Sequence, residues 1–327
     1  MNAPIIDTGA GAAPALLTQL AARPCPACGN ADDRDERFPE RIDAARIDGM
    51  SYASRKEPEF MSLRMVACPE CGLLYAPRVP SRGFLARAYA ETGYDSDVEA
   101  RFAAESYAQG LAARLSRLPD RGSALEIGCG NGALLAHLTR LGFQEVTGIE
   151  PSHQAAQAAE PALRARIRVE TFDPARLPAG HYSLVIANQT LEHVDQPIEL
   201  ITAARQLLKP GGALMIVSHD WQHWLMRLLG ARSPIIDIEH LQIFSRPSLQ
   251  RALIRAGFAP VEVDPFGNRY PLHYWFRLVP LPGLLKRPLG AALRAGRLAP
   301  IGRLAFSASV GNMIAWAQVP PGRSSPP

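Results

Sequence analysis

Short apolar runs and one-sided helical stripes alternate through the middle of the chain. Leu125 to Ile127, Val146 to Ile149, Leu184 to Ala187 and Ala213 to Val217 are brief apolar runs, the first interrupted by Glu126. Between the first two, Leu134, Leu135, Leu138 and Leu141 recur at helical spacing and stop at Gly142. Before the last, Pro197 opens a stretch in which Ile198, Ile201, Ala204 and Leu208 share a face. Period and punctuation together predict strands alternating with helices. Two further strands are expected near Val261 to Val263 and from Val310 to Trp316. Strands apolar on both sides, each followed by a one-sided helix, form an α/β fold with a doubly wound, mostly parallel sheet whose ligands bind beyond the strand carboxyl ends.

The candidate chemistry falls where that rule places it. Leu125-Glu126-Ile127-Gly128-Cys129-Gly130-Asn131-Gly132 runs a strand into three glycines that open a helix. Glycines at such a junction let the backbone turn tightly and bring helix N-terminal amides against a ligand. The next strand ends in Glu150-Pro151, and an acid there is placed to accept hydrogen bonds from ribose hydroxyls.

With these residues in order, the segment from Ala124 to Val217 resembles the core of class I S-adenosylmethionine-dependent methyltransferases. The resemblance implies a Rossmann-like, seven-stranded sheet. It implies a glycine turn around the methionine end of the cofactor, involving Glu126, Gly128, Cys129, Gly130, Asn131 and Gly132. Glu150 with Pro151 matches the ribose position and Asp173 the adenine position. Asn188-Gln189 ends the fourth strand, Leu191-Glu192-His193-Val194 is a family-like tract beside the cofactor, and Lys209-Pro210-Gly211-Gly212 matches the turn before the fifth strand. Ser183 departs from the pattern, since many relatives carry aspartate there.

Cysteines mark a second unit. Cys25-Pro26-Ala27-Cys28-Gly29 and Cys68-Pro69-Glu70-Cys71-Gly72 are two knuckles that together offer four thiolates, enough for a closed tetrahedral zinc site. The stretch from Asp32 to Arg46 between them is expected to form an excursion. Disulfides are the competing reading; a chain without a secretory signal in a reducing compartment favours metal. The module resembles the amino-terminal zinc-binding, ribbon-like unit of some bacterial sugar and envelope-pathway methyltransferases. Cys129 is read as a small turn residue, not a nucleophile.

These units set the expected organisation: a loose, disordered tail over 1–22, a zinc module over 23–80, a helical linker and cofactor lid over 81–118, the methyltransferase domain over 119–319, and a disordered tail over 320–327. No apolar run approaches the length of a spanning helix, and the expected location is cytoplasmic. Charge then singles out one region. Beyond Asp264 there is no acid, yet eight lysines and arginines occur from Arg269 to Arg323; against a net charge of +4, the residues up to Asp264 carry −4. An insert over 265–308 mixes these cations with leucines and aromatic rings. It is expected either to cover the substrate as a lid or to meet an anionic membrane surface or lipid-linked acceptor, peripherally at the inner face.

Methyl transfer to a hydroxyl needs alignment and a base. His219-Asp220 follows the fifth strand, and Glu239-His240 lies in the next loop, so His219, Asp220 and His240 are the candidate catalytic residues. His193 is a weaker candidate, and Tyr89 and Tyr94 are candidate cofactor covers. The expected reaction is methylation, at oxygen, of a small-molecule or glycan acceptor, with envelope saccharide or a lipid-linked precursor preferred. An RNA methyltransferase and a non-catalytic cofactor-binding subunit are the alternatives. Nucleic acid is disfavoured because the module is acidic from Asp32 to Glu40 and no basic stripe with stacking aromatics is present.

Overall fold

The computed structural model describes residues 20–48, 50–52, 58–94, 96–279, 281 and 283–321. Thirteen strands follow in chain order: β1 Leu20–Ala22, β2 Glu36–Phe38, β3 Met65–Ala67, β4 Leu74–Tyr75, β5 Arg78–Pro80, β6 Ser123–Ile127, β7 Glu145–Ile149, β8 Ile167–Arg168, β9 Tyr182–Asn188, β10 Leu208–His219, β11 Gln242–Ile243, β12 Val261–Pro271 and β13 Ala305–Gln318. The helices are α1 Arg82–Glu91, α2 Asp97–Ala112, α3 Ala133–Arg140, α4 His153–Gln157, α5 Pro161–Arg164, α6 Pro197–Leu207, α7 Trp224–Leu229, α8 Arg246–Arg255, α9 Leu272–Leu278, α10 Gly283–Ala295 and α11 Ala299–Gly302.

Seven strands form the central sheet in the order β12-β13-β10-β9-β6-β7-β8. Only β13 runs against the rest, because it is antiparallel to both β10 and β12. The order reverses between β6 and β9, and this switch point opens a crevice at the strand carboxyl ends. Alternate residues explain both faces. Leu125, Ile127, Val185, Ala187, Leu214 and Ile216 pack under α6 and α8. Ala124, Leu184, Ile186, Met215 and Val217 pack on the opposite side under α2 and α3. This is the α/β doubly wound sheet expected from the pattern, with the seven strands and Rossmann-like order that the resemblance implies.

The two cysteine knuckles form the same closed turn twice. Cys25 N donates to Asn30 O at 2.8 Å and Gly29 N to Cys25 O at 2.8 Å; Cys68 N donates to Leu73 O at 2.8 Å and Gly72 N to Cys68 O at 2.9 Å. A four-stranded sheet of order β11-β4-β3-β2 builds on them. Its outer strand β11 comes from the loop after β10, so the module is completed by the second half of the chain. The Trp221 indole donates to Gly72 O at 3.0 Å, and Arg251 donates to Cys71 O.

Four boundaries differ from expectation. Residues 20–22 of the anticipated tail form β1, paired with β5, because backbone groups there find partners at the edge of the module; residues 1–19 and 322–327 lie outside the described residues. The Asp32 to Arg46 excursion contributes β2, so it is not wholly irregular. β12 continues to Pro271 and β13 begins at Ala305, so the 265–308 insert starts and ends as a two-stranded arm with α9, α10 and α11 between. The sequence does not show this, because Gly267, Asn268 and Arg269 interrupt the apolar period of two. The departure at Ser183 is compensated: its hydroxyl donates to Asp120, which Lys209 also grips at 2.9 Å. Those contacts hold the Asp120 carboxyl at about 2, below the usual carboxylate range.

Candidate functional site

A cavity of ≈ 550 Å³ opens at the switch point, within the range of small-molecule and cofactor sites. Its floor is the glycine turn. At Gly128, φ is +75° and a Cβ would stand 2.8 Å from the Thr190 hydroxyl, so a side chain is excluded on both conformational and steric grounds. Gly130 N donates to Glu150 Oε2 at 2.7 Å, and Ser152 N to Glu150 Oε1 at 2.8 Å. Glu150 therefore clips the turn to the end of β7. Each carboxylate oxygen has a second lone pair for a ligand hydroxyl. Asn131 ties the turn to α2 through Asp97, at 2.8 Å.

Of the eleven residues expected around the cofactor, ten line this cavity; Gly132 instead caps α3 in a left-handed conformation. Asp173 is exposed to it, with one oxygen accepting Ala175 N at 3.0 Å. Asn188 Oδ1 accepts Val217 N at 3.0 Å, which fixes the amide orientation and leaves the buried Nδ2 donor without a partner among the described residues. Gln189 takes φ +51°, a strained backbone for a residue with a side chain and one typical of ligand sites. Burial, with Glu126 and Glu150 close by, pushes the Cys129 thiol well up, so it is a neutral turn residue. The walls carry Glu126, Glu150, Asp173, Asp195 and Glu199 against Arg82, and Arg82 is itself paired with Asp195 and Glu199. Such a field suits a cationic ligand. The orphan donor and acid-rich walls fit S-adenosylmethionine, whose sulfonium and ammonium are positive and whose carboxylate accepts.

The three histidines cluster, but only one reaches the cavity. His193 lines it, and ring centroids lie 4.9 Å from His193 to His240 and 5.5 Å from His240 to His219. His193 Nδ1 lies 3.2 Å from the Glu239 carbonyl and 3.2 Å from the Tyr89 hydroxyl. A carbonyl only accepts, so Nδ1 carries the hydrogen and Nε2 is the accepting nitrogen. Burial keeps Tyr89 a neutral phenol, its pKa pushed well up. His240 is buried and donates from Nδ1 to Ile235 O at 2.8 Å. Burial first, and His240 second, lower His219 to about 3. Asp220 does not orient a histidine: it accepts Gln222 N at 3.0 Å and faces Arg246 at 3.3 Å. His219, Asp220 and His240 thus stand behind the wall that His193 forms. The sequence ranks them above His193 because proximity to a strand end is visible there and side-chain direction is not.

Tyr89 and Tyr94, the candidate covers, both line the cavity, whereas Tyr52, Leu85 and Tyr107 were not singled out in the sequence. Tyr52 comes from the segment between the knuckles, and Tyr94, Tyr107 and Leu85 from the helical linker, so α1 and α2 roof the cavity. Among the described residues, none of 265–308 lines this cavity. Phe172, beside Asp173, was findable as an aromatic next to an expected adenine contact.

The four knuckle thiols lie within 4.8 Å of one another, with Cys25 to Cys71 and Cys28 to Cys68 at 3.5 Å. A tetrahedral ion with ~2.3 Å metal–sulfur bonds needs sulfurs about 3.8 Å apart, and bonded disulfide sulfurs would stand at about 2.05 Å. Burial pushes Cys28 up to about 11, while the Cys25 thiol donating to Cys71 pulls Cys71 down to about 5. Four such sulfurs ionise together only around a cation, so the cluster fits a zinc module.

The chain is 33% identical over 115 residues to the ubiquinone biosynthesis O-methyltransferases of Yersinia pestis and Yersinia pseudotuberculosis, covering 33% of this chain and 47% of each relative. It thus spans about half the length of the curated relatives it matches. Among solved structures it is similar to a SAM-dependent methyltransferase from Archaeoglobus fulgidus, with 18% identity, TM-score 0.44, and coverage of 66% of this chain and 94% of that one. An O-methyltransferase family protein from Burkholderia thailandensis gives 18% identity, TM-score 0.43, and coverage of 74% and 61%. The family described as methyltransferase domain matches residues 99–263, half of the chain and all of the cavity floor. The chain belongs to that family.

Proposed function

We propose that the protein methylates a hydroxyl oxygen of a small-molecule acceptor, with His193 as the base. The observation that carries this reading is His193 in the cavity wall, its Nδ1 held at the Glu239 carbonyl. S-adenosylmethionine supplies an electrophilic methyl group on sulfur. Glu150 would hold the ribose hydroxyls, Asp173 with Phe172 the adenine, and Asn188 Nδ2 an acceptor atom of the same molecule. The hydroxyl proton would pass to His193 Nε2 as the acceptor oxygen bonds the methyl carbon and the carbon–sulfur bond breaks, leaving S-adenosylhomocysteine. Tyr89, through its contact with His193 and Glu239 O, keeps the ring in one tautomer.

The acceptor class we favour is an envelope saccharide or its lipid-linked precursor, handled at the inner face of the membrane. Tyr52, Tyr89, Tyr94 and Tyr107 on the cavity wall support it, since such rings pack on sugar faces and donate to their hydroxyls. The oxygen chemistry named for the Yersinia relatives supports methylation at oxygen and does not bear on the saccharide. The metal we assign to the Cys25, Cys28, Cys68 and Cys71 cluster is structural zinc, because four thiolates leave no open coordination position for chemistry.

The test is a cofactor-consumption assay against nucleotide sugars, lipid-linked saccharides and RNA, followed by NMR of the product methyl group. An O-methyl ether formed from a saccharide, and lost in His193→Gln, is the expected result. N-methylation, or turnover confined to RNA, would overturn the reading.

A further inference from the structure

The apolar arm outside the cavity has a geometry of its own. β10 ends at His219, which pairs with Asn312, so residues 305–311 of β13 run on past the carboxyl edge of the sheet, together with Asn268 to Pro271 of β12. Seven strand residues reach roughly 20 Å. α9, α10 and α11 cap this projection, and it rises from the same edge at which the cavity opens. The arm is fixed to the roof: Tyr274 packs in one cluster with Tyr107, and Arg277 faces Glu99 at 3.9 Å on α2.

Its outer surface is unlike the rest of the molecule. Nine of the fourteen exposed large apolar side chains among the described residues fall within 279–306, with Leu284 at 92% and Leu304 at 64% exposure. On α10, at about 100° per residue, Leu284, Leu285, Pro288, Leu289 and Ala292 share an arc of roughly 140°. Leu293, about 40° beyond Leu289 on the same helical wheel, is buried against the rest of the arm. Arg287 and Arg294 border the apolar arc on one side. Basic groups elsewhere on the arm are paired, Arg269 with Glu105 and Arg277 with Glu99. Arg287, Arg294, Arg297 and Arg303 are exposed and make no ion pair among the described residues. A leucine arc bordered by unpaired arginines, in a region without an acid of its own, is the composition of an interfacial helix and complements anionic headgroups.

We infer that the 272–304 arm docks on an anionic lipid bilayer, with α10 lying in the interface and the cavity mouth turned toward the membrane. This goes beyond the oxygen chemistry and stands whichever acceptor is methylated. A second copy of the chain is the competing occupant, but four unpaired arginines on each copy would face one another.

The test is flotation of the full chain with vesicles of phosphatidylcholine alone or with 30 mol% phosphatidylglycerol as ~30% anionic lipid. Binding only to the anionic vesicles, weakened by salt over the range in which the Debye length shrinks, is expected. Replacing Arg287, Arg294, Arg297 and Arg303 with glutamine should lower partitioning roughly fivefold per residue while leaving S-adenosylmethionine affinity unchanged. Leu284→Asp with Leu285→Asp should abolish it with the same cofactor affinity, which shows that the fold survives. No flotation of the unsubstituted protein, or equal flotation with neutral vesicles, overturns the proposal. So does a dimer in sedimentation that the leucine variants dissociate without any vesicle binding.

Discussion

Glu150→Gln isolates the contact on which the cofactor end depends. The carboxylate accepts Gly130 N at 2.7 Å and Ser152 N at 2.8 Å and is 8% exposed. Glutamine keeps the shape, but its amide nitrogen turns a donor toward one of those two N–H groups, so one charged hydrogen bond is lost and two donors face each other. A charged bond contributes about 1.5–3 kcal/mol, and an open cavity lets water recover part of it. The ligand-free protein should therefore lose about 1–2 kcal/mol, seen as a midpoint lowered by roughly 2–8 °C. Cofactor binding suffers separately, because a ribose diol finds two acceptor oxygens on glutamate and one on glutamine. That costs about 1.4–2.8 kcal/mol, a ten- to hundredfold rise in Kd by calorimetry. A cycle divides the two effects: S-adenosylhomocysteine and its 3′-deoxy analogue, each titrated into both proteins. If Glu150 holds the ribose, the losses from the substitution and from the missing hydroxyl are non-additive. Additive losses, or an unchanged Kd with an intact fold, would refute the assignment.

Three further outcomes follow from the same geometry. His193→Gln should lower kcat by about 10²–10⁴ with cofactor Kd unchanged, whereas His219→Gln and His240→Gln should act chiefly through stability; equal kcat losses at all three would argue against a single base. His219 is held at about 3 against an unfolded value of ~6.5, so the unfolded chain binds the extra proton between these pH values. Its stabilising effect is full above pH ~6.5 and falls by up to ~1.4 kcal/mol per unit as pH drops toward 3, a slope that denaturant titrations of His219→Asn should show removed. Mass spectrometry should find about one zinc per chain, reduced in Cys68→Ser, with the acceptor KM rising more than the cofactor Kd; metal-free, fully reduced protein of unchanged stability would contradict this.

The legible and illegible parts of this chain separate on physical grounds. Strand and helix periods are local, so β6, β9, α3 and α6 could be read within a residue or two. The glycine turn and Glu150 were legible because backbone approach and charge at a strand end restrict the residue types. Pairing that joins distant segments was not: nothing in Gln242-Ile243 shows that it extends the sheet of a module more than 160 residues earlier. Side-chain direction was equally hidden. His193 and His219 both follow strands, yet the Glu239 carbonyl holds one in the cavity wall while a layer of rings stands in front of the other.

Contacts of the cysteine module with the His193 segment explain why a metal at the four cysteines, as proposed, should matter to the acceptor end. Leu74, two residues past the Gly72 turn, pairs with Ile243, and Tyr75 with Gln242. Arg23, two residues before Cys25, donates to Gln242 Oε1 at 2.9 Å, which fixes the amide so that Nε2 donates to Leu191 O and, at 2.8 Å, to Val194 O. Those carbonyls bracket Glu192 and His193. Glu192 is clamped in turn: its carboxylate accepts the Ser218 hydroxyl at 2.7 Å and His219 N at 2.8 Å, while its carbonyl accepts Leu241 N at 2.8 Å. The path from the cysteine sulfurs to His193 is thus a run of backbone-anchored bonds on both sides of Gln242. The glycine turn shares none of these contacts, being held by Glu150, Asn131 and Thr190 instead. Loosening the knuckles would release Arg23 and β4 first and blur the position of His193, while the cofactor cradle, fastened to β7 and α2, would keep its shape. On the proposed reading, the cysteine module is a brace for the His193 side of the cavity.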